Sequence, residues 1–497
     1  MKFMKVALVI AVALCLAGSV YAETQSVKVS GDLTMRGIYR DHYDYLSSAG
    51  NKEGMNIGNS RTNQQWIMSV AEIQVDADLT DNVQTVIRLV NQRDWNVYSQ
   101  KYTGEFGSGT LANPDEFNVM VDLAYVTLKD FIYSPLTLTI GRQDLWFGKG
   151  FIVGANMQNP GMSLIQQGSP NQIAGTTGNL SAPEYTATTA FDSIKAVLDY
   201  DPWTITALYA NVNTGAIQDC DGTNLWGLNV GYKFDSYKAE VEGYWFWKQD
   251  NTVEVLSALK HQTNQVQTFG LRGSFDPIDV ITIAAEGAYQ GGTYVGSTTQ
   301  KNNMNRSAWA LDVSAEARMF TDKFSWKPKL GAEFIWYSGE QQRVDSTSAG
   351  TYNGWDPMYR GKFDSAIREF VGRFYQSGKY GSGANQLVAC RDASFTNQYQ
   401  VILLGSIQPM ESLNIKANYN LFWNQKKYDV TDSKTKGYVG SEIDINVTWD
   451  YTEDVSFGLL AGAFVPGTVY DSKLVGAQAS SGDQIATDLV GSVKVSF

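Results

Sequence analysis

The 497-residue chain has 39 basic and 51 acidic side chains, which gives a formal net charge of −12. An acidic protein repels the phosphate backbone of nucleic acids, so the composition argues against nucleic-acid binding. After residue 22, no stretch approaches the ~18 consecutive apolar residues of a transmembrane helix, which excludes helical membrane spans.

Residues 1–22 have the three parts of a cleaved signal peptide. Lys2 and Lys5 give a positive start, an apolar run follows, and Val20-Tyr21-Ala22 fits a signal-peptidase site. The apolar run is too short to span a bilayer, and a short anchor helix is the alternative. We therefore expect residues 1–22 to be removed and 23–497 to form a single domain.

The first segment of this domain alternates with a period of two. Val27, Val29 and Leu33 share one face, while the positions between them are mostly polar or charged. Successive strand residues face opposite sides, so the pattern predicts a strand with one apolar and one polar face. The same alternation returns at the far end, from Ile485 to Phe497.

Sixteen further segments between these ends read as strands. Many are longer than the five or six residues of an average soluble strand, and long enough for a tilted strand to cross a bilayer. The predicted strands lie near residues 27–39, 62–80, 83–96, 116–130, 135–147, 189–201, 203–213, 223–235, 237–249, 265–276, 279–291, 306–320, 326–338, 396–409, 412–425, 440–452, 454–466 and 485–497.

The connections alternate between tight turns and long loops. The turns are rich in Asp, Asn and Pro, which suit turn geometry, as in Asp201-Pro202-Trp203 and Thr452-Glu453-Asp454. Short turns on one rim and long loops on the other are typical of outer-membrane barrels, whose short turns are periplasmic. The sequence therefore predicts an all-β fold, a closed transmembrane antiparallel β-barrel of eighteen strands in the outer membrane, surrounded by lipid and lipopolysaccharide.

Aromatic side chains support this prediction independently. On the apolar face they cluster near both strand ends, with aliphatic residues between, as expected of the two girdles of a membrane barrel. The long-loop set is Tyr39, Trp247, Tyr289, Trp336 and Trp423, and the short-turn set is Phe234, Phe275, Trp449, Tyr451 and Phe497. A terminal strand that ends in Phe497 also resembles the assembly signal that the barrel-assembly machinery recognises. A large soluble β-sandwich or β-solenoid explains neither the girdles nor the alternating loop lengths.

The polar face holds ions of both signs, which are inexpensive only in a water-filled lumen. Cross-strand pairing that stiffens the wall is the simplest role for most of them. A ring of a single sign would indicate ion selectivity, and this mixture does not. The basic residues that we predict to line the pore are Arg36, Arg88, Lys195, Arg272 and Arg318.

The stretch from Ile140 to Gly150 is less regular. By alternation Arg142 points outward toward lipid, so either the strand is ending or Gly141 forms a bulge that resets the phase. We favour the bulge, which turns Arg142 into the lumen. Loop 148–188 is expected either to fold inward as a constriction or to lie in solvent. Tyr244 and Phe246, on the polar face, either pack at the rim or stack on sugar rings.

The cysteines and histidines indicate no catalytic or metal site. Cys220 and Cys390 fall in predicted outer loops, where a disulfide and two free thiols both remain open. His42 and His261 fall at or within loops beside no recognisable nucleophile motif, which argues against a hydrolase. We predict no catalytic residue, no cofactor and no metal.

Several short motifs, in order along most of the chain, resemble those of the alginate-export porins. They are Asn91-Gln92-Arg93-Asp94-Trp95, Ala124-Tyr125-Val126, Gly141-Arg142-Gln143, Phe191-Asp192, Trp355-Asp356-Pro357-Met358-Tyr359-Arg360 and Gly440-Ser441-Glu442-Ile443-Asp444.

The resemblance implies an eighteen-stranded, monomeric barrel that passes an anionic polysaccharide, an alginate-like polyuronate, through an arginine-lined pore. Within the matching motifs it points to Arg93 and Arg142, with Asp192 and Glu442 as their lumen partners. A general or small-anion porin for nutrient uptake is the alternative. A structural or adhesive surface protein that uses loop 339–395 is a third possibility.

Overall fold

The computed structural model of the chain describes residues 26–42, 63–95, 119–156, 182–213, 222–255, 260–295, 303–318, 324–340, 350–371, 395–426, 437–468 and 484–497. Eighteen antiparallel strands follow one another in chain order around a closed wall, which confirms the predicted fold and strand count. The predicted signal peptide and both Cys220 and Cys390 lie outside the described residues.

The wall strands are β1 (Ser26–Asp41), β2 (Asn63–Thr80), β3 (Val83–Asp94), β4 (Met120–Leu128), β5 (Leu136–Gln143), β6 (Phe191–Tyr200), β7 (Trp203–Asn213), β8 (Thr223–Lys233), β9 (Glu240–Val255), β10 (Lys260–Ile278), β11 (Ile281–Val295), β12 (Asn303–Ala317), β13 (Lys329–Tyr337), β15 (Gln398–Met410), β16 (Leu413–Asn424), β17 (Tyr438–Asp450), β18 (Val455–Pro466) and β19 (Ala486–Ser496). A two-residue strand, β14 (Thr351–Tyr352), pairs in parallel with the extracellular end of β12.

The first and last strands close the wall. The β1–β19 ladder runs without interruption from Asp32 opposite Ser496 to Asp41 opposite Thr487. Gly31 and Phe497 exchange backbone hydrogen bonds of 2.8 and 2.9 Å at the end of this seam. Closure leaves no unpaired strand edge in the wall, which is the condition for a sheet to span a bilayer.

The apolar residues of the period-two alternation face outward from the barrel. Exposed aliphatic side chains such as Leu271 and Ile443 form its middle band. Exposed aromatics flank that band, with Tyr39 on the long-loop side and Trp449 and Tyr451 on the short-turn side. The aromatic girdles of the sequence prediction are therefore present where the bilayer interfaces are expected.

The two rims differ as predicted. At one rim, β2–β3, β6–β7 and β15–β16 are joined by only two residues each, and the longest connection on this rim, between β12 and β13, has eleven. Long connections occupy the other rim, which is the extracellular one by the outer-membrane rule. No helix among the described residues is long and apolar enough to cross a membrane.

Three segments between the strands fold into the lumen. We call residues 144–156 the strap, residues 182–190 the anchor and residues 350–371 the belt. The strap and belt are joined by a parallel bridge between Val153 and Tyr359. The two described ends of loop 148–188, residues 148–156 and 182–188, thus fold inward, as the first of the two alternatives expects for them. Strand β5, predicted to reach residue 147, ends at Gln143 because the chain turns into the lumen there.

Candidate functional site

The belt is fixed to the wall near its start by Asp356. The Lys248 ammonium, on β9, donates to both carboxylate oxygens of Asp356 at 2.7 and 2.8 Å. The Gln290 side chain, on β11, accepts from the Asp356 backbone N–H and donates to its C=O, at 2.9 and 2.8 Å. Asp356 also accepts from the Met358 backbone N–H at 2.8 Å, a local turn that suits the Asp-Pro sequence.

The electrostatic surroundings keep Asp356 ionised. Burial by itself would raise the pKa of Asp356, but Lys248 and Arg306 outweigh it, and the pKa lies below its usual value. A buried carboxylate is stable only when its partners supply such compensation. The motif around Asp356 therefore serves first to hold the belt against the wall.

Farther along, the belt binds the wall through charges of both signs. The Lys362 ammonium contacts Asp312 at 3.0 Å and also Glu333. The Arg360 guanidinium is buried and lies over the rings of Phe395 and Phe151 at 4.8 and 5.1 Å. The Lys362 contacts hold the belt along β12 and β13, and the Arg360 contacts pack it against the strap and the residues before β15.

Glu442, predicted to line the pore, lies on the inner face but is covered by the belt. Its carboxylate accepts hydrogen bonds from the backbone N–H groups of Ile367 and Arg368 at 2.6 and 3.0 Å. These donors belong to the short helical turn Ala366–Val371. Glu442 thus caps an inner segment and is buried away from the open lumen.

The anchor lies against β1 and β19, beside the end of the belt, where the Tyr185 and Phe370 rings meet edge-on at 5.2 Å. Glu184 forms a fully buried ion pair with Arg40, whose Nε also donates to Asp488 at 3.1 Å. The Arg36 guanidinium stacks over the Tyr185 ring at 4.9 Å. Arg36, predicted to line the pore, is therefore inside the barrel but shielded in part by the anchor.

The strap crosses the lumen from β5 toward β10–β12. Its first residue, Asp144, lies 3.6 Å from Arg88 on β3. Farther on, the Phe147 ring meets the Phe246 ring edge-on at 5.2 Å, and Lys149 donates to the Ser314 hydroxyl of β12 at 2.7 Å. The strap thus spans the lumen from β3 and β5 on one side to β9 and β12 on the other.

Two other inner-wall cations, Arg88 and Arg272, are paired with carboxylates. Arg88 donates to Asp122 at 2.7 Å. Arg272 donates to Glu240 at 2.6 Å and also contacts Glu242. This mixed lining agrees with the cross-strand pairing that we expected.

The nine predicted pore residues divide into two groups. Strand phase and contacts put six on the inner face: Arg36, Arg88, Lys195, Arg272, Arg318 and Glu442. Arg318 lies near the periplasmic rim, where its guanidinium donates to Asp276 at 3.2 Å. The other three, Arg93, Arg142 and Asp192, have the phase of the outer face, so their predicted lumen position is wrong.

Arg93 is the outward neighbour of two inward residues. Gln92 and Asp94 are buried inside the barrel, and Arg93 lies opposite Ser69 between them. Asp192 likewise stands between the buried Phe191 and Ser193. A matching motif does not say which residues of a strand face inward, which is why the resemblance put both side chains on the wrong face.

Arg142 faces outward because the bulge predicted at Gly141 does not occur. The β4–β5 and β5–β6 ladders pass Gly141 without a register shift, and Arg142 pairs with Asp192 at 3.6 Å. Ile140 belongs to a row that continues through Ile194 to Tyr209, an outward-facing aromatic. Arg142 lies two residues nearer the long-loop rim, beyond that aromatic row, where a charge meets water and costs little.

Tyr244 and Phe246 pack inside the barrel and are buried. The Tyr244 hydroxyl donates to Glu286 at 2.7 Å, and Phe246 contacts the strap. An aromatic that does lie open in the lumen is Trp146, which has 57% of its surface exposed. Alternation could not reveal it because it lies past the end of β5, although a tryptophan among glycines was a usable signal.

His42 lies just past the end of β1, where its Nδ1 is 2.7 Å from an Asp41 oxygen. The described part of β10 includes the backbone of His261 near the extracellular end of the strand. Across the described ranges, no three His, Cys, Asp or Glu side chains are grouped so as to hold a metal ion.

Comparison with known proteins adds a family and a fold. The family model described as alginate export matches residues 51–480. The chain matches no curated protein. Acinetobacter baumannii OccAB1 superimposes with a TM-score of 0.52 at 10% identity, over 97% of this chain and 100% of that one. Pseudomonas aeruginosa OccK9 (OpdG) does so with a TM-score of 0.50 at 10% identity, over 95% and 99%. Likeness at this identity shows the fold alone, that of outer-membrane barrel porins.

Proposed function

The chain belongs to the alginate-export family, and from that premise we propose that it passes an anionic polyuronate outward through its lumen. It is a channel of the bacterial outer membrane with the fold of barrel porins. The observation that carries the proposal is the family match over residues 51–480. The chemistry of the inner wall supports it in the following way.

A conduit for a polyanion needs cationic sites that bind weakly enough to release. In this lumen Arg88 and Arg272 already have carboxylate partners on the wall. At these two sites a uronate carboxylate therefore exchanges with Asp122 or Glu240, which limits its residence time. Guanidinium groups suit such exchange because they bind carboxylates through two parallel hydrogen bonds.

The same near-balance of charge favours a second candidate, a general or small-anion porin. A lining of paired ions without a single-sign ring also suits small solutes of various charge. The two candidates differ in whether a uronate chain interacts with the lumen at all.

Planar-bilayer recording with an added oligouronate distinguishes them. Polyuronate passage predicts brief, concentration-dependent blockades of the open channel. Replacing Lys195, an inner-wall cation on β6, with Gln should shorten these blockades about twofold to fivefold, because one attraction for the carboxylate is lost.

Arg142→Gln is the matched control, since it removes one positive charge from the neighbouring strand β5 but on the outer face. It should leave the blockades unchanged. An oligouronate that never blocks a channel that conducts small ions would contradict the proposal and favour the general porin.

A further inference from the structure

Trp146 is an aromatic ring held open in the lumen. Its exposed fraction is 57%, although it lies within the strap and contacts the belt. The neighbouring Phe147, by contrast, packs against the buried core of strap, belt and wall. A tryptophan whose role was packing alone would be expected to bury its ring as Phe147 does.

The Trp146 ring packs against the backbone of three glycines. A methyl group added at Gly150, Gly154 or Gly361 would come within 2.5, 3.0 and 2.7 Å, respectively, of a carbon in the six-membered ring of Trp146. The three glycines come from both the strap and the belt, so each segment leaves room for the indole at the same place. Gly150 also has a φ of +74°, a conformation that other residues adopt only with strain.

Hydrogen bonds hold the ring in this position against the three glycines. The indole N–H donates to the Gly148 carbonyl at 3.0 Å. The Gly361 N–H donates to the Gly150 carbonyl at 2.9 Å, which ties the belt to the strap beside the ring. Trp146 is therefore pre-positioned, and a ligand that stacks on it has little ordering to impose.

Charged groups lie along the same segment. Asp144, two residues before Trp146, is half exposed and lies 3.6 Å from Arg88. Lys195, on the neighbouring strand β6, interacts electrostatically with Asp144. An aromatic surface with cations and a carboxylate nearby is suited to a ring that has both an apolar C–H face and ionic or hydroxyl substituents.

We propose that Trp146 is a stacking platform in the lumen for a pyranose ring of the transported glycan, and that Arg88 and Lys195, the cations around Asp144, attract the carboxylates of the same chain. The identity of the glycan rests on the proposed function; the stacking itself needs only a pyranose. A platform of this kind holds one sugar at a time and lets the chain advance by exchanging one ring for the next.

The test measures single-channel blockades by an oligouronate hexamer and, separately, by maltohexaose, a neutral pyranose oligomer. Trp146→Ala should shorten the dwell time of both about threefold to tenfold, because an aromatic contact is lost and affinity changes fall mainly on the dissociation rate. Trp146→Phe should keep most of the dwell time. Trp146→Leu, which retains apolar bulk in the glycine seat, should behave as Trp146→Ala does and guards against a packing defect. Trp309→Ala removes a tryptophan that is similarly exposed on the outer face and should change nothing.

The outcomes separate the two proposals. If the oligouronate blocks the channel but dwell times in Trp146→Ala and Trp146→Leu equal the wild type, the platform is wrong and the proposed function stands. If only maltohexaose blocks, and Trp146→Ala shortens its dwell, the platform stands and the polyuronate cargo is wrong. If neither oligomer blocks the wild-type channel, the platform is wrong as well.

Discussion

Replacing Asp356 with Ala tests how the belt is held in the lumen. The change removes both oxygen atoms that Lys248 contacts at 2.7 and 2.8 Å and leaves a buried ammonium group without its main partner. Breaking a buried pair by removing one member costs about 3–5 kcal/mol. The lower end applies here, because Lys248 keeps a contact to the Tyr359 ring at 5.8 Å. About 3 kcal/mol shifts the docking equilibrium of the belt by roughly two orders of magnitude.

The pH dependence follows from the same ion pair. The pKa of Asp356 lies below its usual value in the folded protein, because Lys248 and Arg306 outweigh the effect of burial. A group with a lowered pKa stabilises the folded state above its ordinary pKa of about 4 and loses that contribution as the pH falls through the lowered value. The belt of the wild type should thus stay docked at neutral and mildly acidic pH, and the effect of Asp356→Ala should be fully present at neutral pH.

Two measurements read the result. Single-channel currents of Asp356→Ala should be larger and noisier than wild type, and amide hydrogen exchange over residues 355–363 should accelerate. The double variant Asp356→Ala with Lys248→Met should be less affected than the single one, because no charge is left unpaired. A single variant with wild-type currents and wild-type exchange would refute the view that this ion pair holds the belt.

Two further substitutions test the wall. Ile443→Lys puts a charge on the exposed, lipid-facing middle of β17 and should destabilise the barrel folded in vesicles by about 2–4 kcal/mol. Thr448→Lys, on the inner face of the same strand, should have little effect. Equal urea midpoints for the two variants would argue against a lipid-facing surface at Ile443. Gly141→Ala should lower the yield of heat-modifiable folded barrel, since the added carbon would clash with the Ala124 carbonyl oxygen at a φ of +126°. Gly37→Ala is its control, because nothing lies within 4 Å of the added carbon, and the same yield from both variants would contradict the strained geometry.

The wall could be predicted from the sequence because its determinants are local. A strand that separates lipid from water must alternate with a period of two, and each turn signals its own position, as Asp201-Pro202 does between β6 and β7. Strand count, rims and girdles follow from these signals.

The lumen contents could not be predicted because their determinants are distant in sequence. Asp356 and Lys248 are 108 residues apart, and Glu442 lies 74 residues from the Arg368 backbone it binds. The strap and belt also have no periodicity, because their residues pack in an irregular interior. At Gly141 the sequence allowed either a strand that ends, which leaves Arg142 facing outward, or a bulge, which turns it into the lumen. The strand ends beyond the aromatic girdle, so Arg142 faces outward into water, and the sequence pattern does not show where the girdle lies relative to the strand end.

The most direct test of a water-filled conduit for polyuronate is planar-bilayer conductance of the purified protein, with and without added oligouronate. We expect stepwise openings that the oligouronate blocks reversibly and in proportion to its concentration. A protein that inserts and conducts with no preference for anions over cations and no response to oligouronate would contradict the proposed cargo, and a protein that is extracted in water and forms no conductance would contradict the barrel itself.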